Sequence, residues 1–311
     1  MTVEPPNGLP PAAEARMAEI RQSGTWGSAL TADEFTAIKS TGFAPVGQVL
    51  GAAVYNVGYT GGYACTSYGS RYVGGFGAYG GVPYNSVTAT SSSGTLGSYG
   101  PLVQTMYAAR RAAIGRMVDE CRELGGHGVV GVRLSIGSFP AGGLEFKAIG
   151  TAVGAPGGVP LREPFTSDLS GQDFAKLIMA GWVPVGLVLG ISIGARHDDW
   201  MTVSQRSWGA GNAEVSGYTD LVNTTRHDAR HQLERDVARH GADGVVLQEM
   251  EMHVGEHECP IQEGRKDHVV EATIIGTAIA HFGRPRTTRP PLAIMSLDPQ
   301  RRQAARVKLG T

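Results

Sequence analysis

Metal-ligating side chains crowd the second half of this 311-residue chain, where eight of nine histidines lie beyond residue 196. His253, His257 and Cys259 fall close together, with Glu256 and Glu258 among them, and His268 follows on the next predicted strand. Imidazole plus thiolate is a donor set that suits zinc or copper. These four residues are the candidate ligands and zinc or copper the candidate cofactor. His227 and His231, four apart on a predicted helix, are close enough to share an ion. They lie far around that helix from Ala229, on the side expected to face solvent, and the first half has Arg111 and Gly115 at the matching positions.

Signatures of other chemistry are missing. The chain has no P-loop, no His-Glu-x-x-His and no nucleophile-elbow serine. Two G-x-G-x-x-G matches occur, at Gly126–Gly131 and Gly75–Gly80. A dinucleotide site needs the motif after a strand and opening a helix. The first match leaves a helix and enters a strand, and the second lies in a glycine-saturated stretch. No acid and base can be placed together, so the chain reads as non-enzymatic.

The elements that position these residues come from a repeat. Phe43-Ala44-Pro45-Val46-Gly47-Gln48-Val49-Leu50-Gly51 returns as Trp182-Val183-Pro184-Val185-Gly186-Leu187-Val188-Leu189-Gly190. Gly125-Gly126-His127-Gly128-Val129-Val130 returns as Gly241-Ala242-Asp243-Gly244-Val245-Val246, and Ile149–Val153 as Ile275–Ile279. Three blocks in one order, at offsets of 139, 116 and 126, read as a tandem duplication. Each copy opens with a short helix, capped by Thr31 or Ser170 with Glu34 or Asp173 three residues on. A Val/Leu-rich strand follows (46–54; 185–193). Next comes a long helix whose apolar stripe is Leu102, Met106, Ala109, Ala113, Met117, Cys121 and Leu124, or Val222, Thr225, Ala229, Leu233 and Val237. Two more strands complete the copy (129–136 and 144–153; 245–253 and 269–280). The order predicts an α+β fold, a tandem repeat of a small two-layer β-α-β-β module, each copy preceded by a short helix. No titratable residue is shared at matched positions within the three blocks. The uncharged run Leu177–Ala195 is long enough to span a bilayer, but Pro184 and four glycines recast it as a helix end, a turn and a buried strand.

In these blocks the sequence resembles the YbjQ-like family of heavy-metal-binding domains, through the V-G-x-V-L-G strand, the helix ending in G-A-D-G-V-V and the closing G-T-A-[VI] strand. The likeness covers most of 42–153 and 181–281 apart from the insertion. It implies a dodecin-like fold and homo-oligomers closed into a ring, pentameric in the family, and it carries no fixed ligand set.

The boundaries follow: a flexible segment 1–30, module one at 31–155 with an insertion at 56–100, a linker 156–169, module two at 170–282, and a basic tail 283–311. Eight of ten tyrosines fall between Tyr55 and Tyr99, seven of them in the insertion, interleaved with glycine. Tyrosine is at home in interfaces, which makes Tyr59, Tyr63, Tyr68, Tyr72, Phe76 and Tyr79 candidate oligomer contacts. A flexible loop and membrane-inserting hairpins are the other readings of this segment. Residues 161–282 are net −8 and the tail net +6. Arg284, Arg286, Arg289, Arg301 and Arg302 are the candidate contacts of the tail with a protein partner or an anionic surface. An overall charge of −1 and a tail without aromatic residues argue against nucleic acid. Three scattered cysteines and a polar, proline-bearing start predict a cytoplasmic chain without a secretory signal. The expected roles are a ring-forming structural or binding protein, a zinc- or copper-binding protein, and a membrane-acting ring.

Overall fold

The computed structural model describes residues 9–56, 88–93, 99–140, 143–158, 161, 163–259, 264 and 266–282. The six candidate aromatic contacts of the insertion and the five tail arginines lie outside the described residues. The chain forms two compact units, Met1–His281 and Phe282–Thr311, and both sheets belong to the first.

Helix α1 (Pro11–Ser23) has proline in its first turn and ends at Gly24, whose φ of 68° is left-handed. Helix α2 (Ala32–Ser40) starts in a full capping box, with Thr31 accepting from the Glu34 amide and Glu34 from that of Thr31. After it come β1 (Ala44–Tyr55), β2 (Ala89–Thr90), α3 (Tyr99–Glu123), β3 (Gly128–Ser138) and β4 (Leu144–Gly154). Strand β5 (Phe165–Thr166) leads into α4 (Gly171–Met179), whose N-cap Ser170 accepts from the Asp173 amide. Strand β6 (Trp182–His197), α5 (Trp200–Arg206), α6 (Ser216–Arg239), β7 (Gly244–Glu258) and β8 (Lys266–His281) complete the unit. The fold is mixed α+β, as predicted. The uncharged run is the end of α4 plus β6, and no described helix is long and apolar enough to cross a membrane.

One sheet runs β1-β4-β3-β5 and the other β2-β6-β8-β7. In each, the long strands pair antiparallel, with the closing strand in the middle. A bulge interrupts the first strand at Pro45/Gly47 in one sheet and at Pro184/Gly186 in the other. Gly51 lets α3 settle directly on β1: a Cβ there would lie 1.8 Å from the Ala113 carbonyl oxygen. Gly190 does the same for α6, with 2.2 Å to the Ala229 carbonyl oxygen. The stripe on α6 differs by one position from the sequence expectation, because Leu221 is buried and Val222 only half so.

Helix α3 also touches the second sheet. Its Ala109, Ala113 and Met117 share a core with Val49 and Phe146 on one side and Leu187, Leu189 and Ile275 on the other. Strand alternation divides β6: Val188 packs under α6, whereas Ile191 and Ile193 pack with Val103 and Met106 of α3. The second sheet thus has a helix on each face.

Backbone groups at sheet edges must find partners, and the first strands find theirs within the chain. The Leu50 amide donates to Glu120 and the Leu189 amide, at 3.1 Å, to Asp236. The Ile191 amide donates to the Tyr107 hydroxyl at 2.8 Å. Glu120 and Asp236 hold matching places on α3 and α6, one turn before Gly125 and Gly241. Along β3, Phe165–Leu169 covers the outer edge: Ser167 N–H donates to the Val129 carbonyl at 2.9 Å, and Gly131 N–H to that of Leu169 at 3.0 Å. Strand β7 ends its sheet with no strand beyond it among the described residues.

Candidate metal centre

Three buried side chains converge where β6 ends and β8 begins. A nitrogen of His197, the Cys259 thiol and a carboxylate oxygen of Asp267 lie within 4.8 Å of one another. Antiparallel pairing places His197 opposite Asp267, with Nδ1 and Oδ1 2.8 Å apart. Cys259 joins them because it directly follows β7, whose His257 is the register partner of Asp267. All three are nearly inaccessible to solvent. Thiolate, imidazole and carboxylate are three of the donor types that zinc takes, in number one short of a closed tetrahedral site.

The sequence-predicted ligands separate in this geometry. Cys259 lies in the cluster, and His257 borders it from the neighbouring strand. His253 stands exposed on β7, 3.7 Å from Glu251. His268 occupies the opposite face of β8 from Asp267. There its Nε2 is 3.1 Å from Asp198 and 2.9 Å from the Tyr218 hydroxyl. Burial alone would raise the Asp198 carboxyl. The hydrogen bonds and charges of His268, Tyr218 and Arg206 nevertheless hold it below the usual carboxylate range. The Tyr218 phenol is pushed up to about 12, by burial first and then by the Asp198 charge. His227 and His231 are exposed on α6, their Nε2 atoms 2.9 Å apart. His197 and Asp267 escape sequence reading because they are 70 residues apart. The available signal was strand alternation, which separates His268 from Asp267; the alignment of Asp267 with His197 and His257 depends on register.

Comparison with known proteins adds the family context. Residues 83–155 match the YbjQ_1 family model, described as "Putative heavy-metal-binding". That match covers α3, β3 and β4 and lies outside the Cys259 cluster. Over 295 residues the chain is 29% identical to the Encapsulin nanocompartment protein Rv1762c of Mycobacterium tuberculosis, spanning 93% of this chain and 97% of the relative. A UPF0145 protein of Clostridium perfringens is 45% identical over 60 residues, 19% of this chain and 54% of that protein. One from Thermosipho africanus is 41% identical over 64 residues, 21% of this chain and 56% of its own. No solved structure matches.

Proposed function

We propose that the chain is a structural protein that assembles with copies of itself into a closed particle. The observation that carries this reading is similarity over nearly the full length of a protein named for a nanocompartment. An assembling subunit needs surface that one chain leaves uncovered, and the edge of β7, on which no strand lies among the described residues, is such a surface. The tandem reading, two dodecin-like modules at 31–155 and 170–282 extending into a ring, belongs to the same proposal. Its support is the matched bulges, the matched helix contacts at Gly51 and Gly190, and the matched carboxylates Glu120 and Asp236. Light scattering on the purified full chain tests it. A mass of many times 32.7 kDa that survives micromolar dilution is expected, and a single-chain mass overturns it.

A second reading is favoured by one arrangement, the Cys259–His197–Asp267 cluster: a borderline metal ion such as zinc or copper held at the start of β8. The donors fit such an ion, being mixed sulfur, nitrogen and oxygen on three buried residues. His257, exposed on β7 and the register partner of Asp267, is the candidate for a fourth ligand. Metal binding to thiolate releases a proton and leaves a sulfur-to-metal absorption band with cobalt as the probe. Cobalt titration of the full chain is expected to give that band, and Cys259→Ser to abolish it. Equal, weak uptake by both proteins ends this reading.

A further inference from the structure

We infer that assembly proceeds head to tail, with Trp26–Leu30 of one copy docked along the open edge of β7 in another. This rests on the assembly reading above and names the surfaces that carry it. The argument comes from a junction already formed inside the chain. Phe165–Leu169 lies parallel on β3, with Phe165 opposite Gly128. The ring of Phe165 sits where a Gly128 side chain would be, 2.4 Å from the Cβ position.

Both halves of that junction recur, separately and without each other. At the offset of 139, Trp26–Leu30 matches Phe165–Leu169. It is folded the same way. Trp26 stacks on Phe35 with the planes 9° apart, and Phe165 stacks on Phe174 at 13°. The Ser28 hydroxyl lies 3.3 Å from that of Thr151, and Ser167 lies 3.0 Å from Thr277. The Leu30 amide donates to Ser28 as the Leu169 amide does to Ser167. At the offset of 116, Gly244 on β7 matches Gly128 on β3. Above Gly244 nothing among the described residues is closer than Ile279, 3.7 Å from the Cβ position. Leu247, which stands where Gly131 receives the covering segment, is 47% exposed. Trp26 is itself 38% exposed.

One copy therefore presents an aromatic ring on a preformed segment, and another presents the glycine slot that the same segment fills inside each chain. The two surfaces differ, so the contact is heterologous: it closes into a ring or shell where the rotation permits and extends as a filament where it does not.

The test uses two variants of the full chain and their mixture. Gly244→Val fills the slot, its Cβ in ordinary contact with Ile279 and with no clash among the described residues, and Trp26→Glu removes the ring from the other side. Each alone is expected to drop the assembly to a single-chain mass while far-UV circular dichroism stays unchanged. Mixed, they have one intact pair of surfaces between them and should form a two-chain species that does not grow. Unaltered assembly by either folded variant assigns the β7 edge to some other occupant and overturns this interface, leaving the assembly reading intact. A wild-type chain that never exceeds one copy ends both. Should Gly244→Val lose its fold, Trp26→Glu together with Leu247→Lys gives the same mixing test.

Discussion

Gly51→Ala probes the contact on which the first sheet is built. Its added carbon would lie 1.8 Å from the Ala113 carbonyl oxygen and 2.6 Å from the Met117 amide nitrogen, where real contacts stay beyond 3.0 Å. Both obstacles are helix backbone, which has no rotamer to escape into, so α3 must retreat by more than an ångström. That retreat loosens Val49, Ala53, Ala113 and Met117, all fully or almost fully buried in one core. Overpacking costs about 1–3 kcal/mol, and a backbone clash belongs at the upper end. For a unit of this size each kcal/mol moves Tm by roughly 2–4 °C, so a fall of about 6–12 °C is expected by circular dichroism. Gly115→Ala, on the same helix with open space around it, supplies the opposite sign. Relieving a mid-helix glycine should raise stability by about 0.5–1 kcal/mol. A Gly51→Ala protein that melts with the wild type would refute the close seating of α3 on β1.

Two further predictions concern the edges and the buried acid. Asp236→Ala leaves the Leu189 amide without its carboxylate; a loss of about 1–3 kcal/mol and faster hydrogen exchange at Leu189 are expected, and unchanged exchange would remove the capping role. Asp198 is held below its ordinary value of 3.8 in the fold. Its contribution to stability is therefore present above that pH and is lost as pH falls through the lower folded value. Urea midpoints measured from pH 6 down to pH 2.5 should fall for the wild type and fall less steeply for Asp198→Asn, which also starts lower. Parallel curves would contradict this.

Local signals carried much of the architecture into the sequence. The caps at Thr31 and Ser170 and the Val/Leu strands depend on neighbours a few residues away, and each stands where its pattern indicated. The matched carboxylates at 120 and 236 lay just outside the aligned blocks, and their role emerges only when the helix is seen crossing the strand edge. The likeness between Trp26–Leu30 and Phe165–Leu169 was hidden for a similar reason. An aromatic ring, a serine and a leucine at fixed spacing are too common to stand out until both serines are found against the threonine of a closing strand. The metal cluster depends on register. His197 and Asp267 meet because two 16-residue strands pair end to end, and no short-range pattern reports that. His268 shows the converse hazard: adjacent in sequence to a candidate ligand, it faces the other side of the sheet and serves Asp198.

Electron microscopy of the purified full chain bears most directly on the central reading, that this protein exists to build a multi-copy structure. Closed particles of one uniform size are predicted at micromolar concentration. A field holding only single 32.7 kDa chains would contradict it.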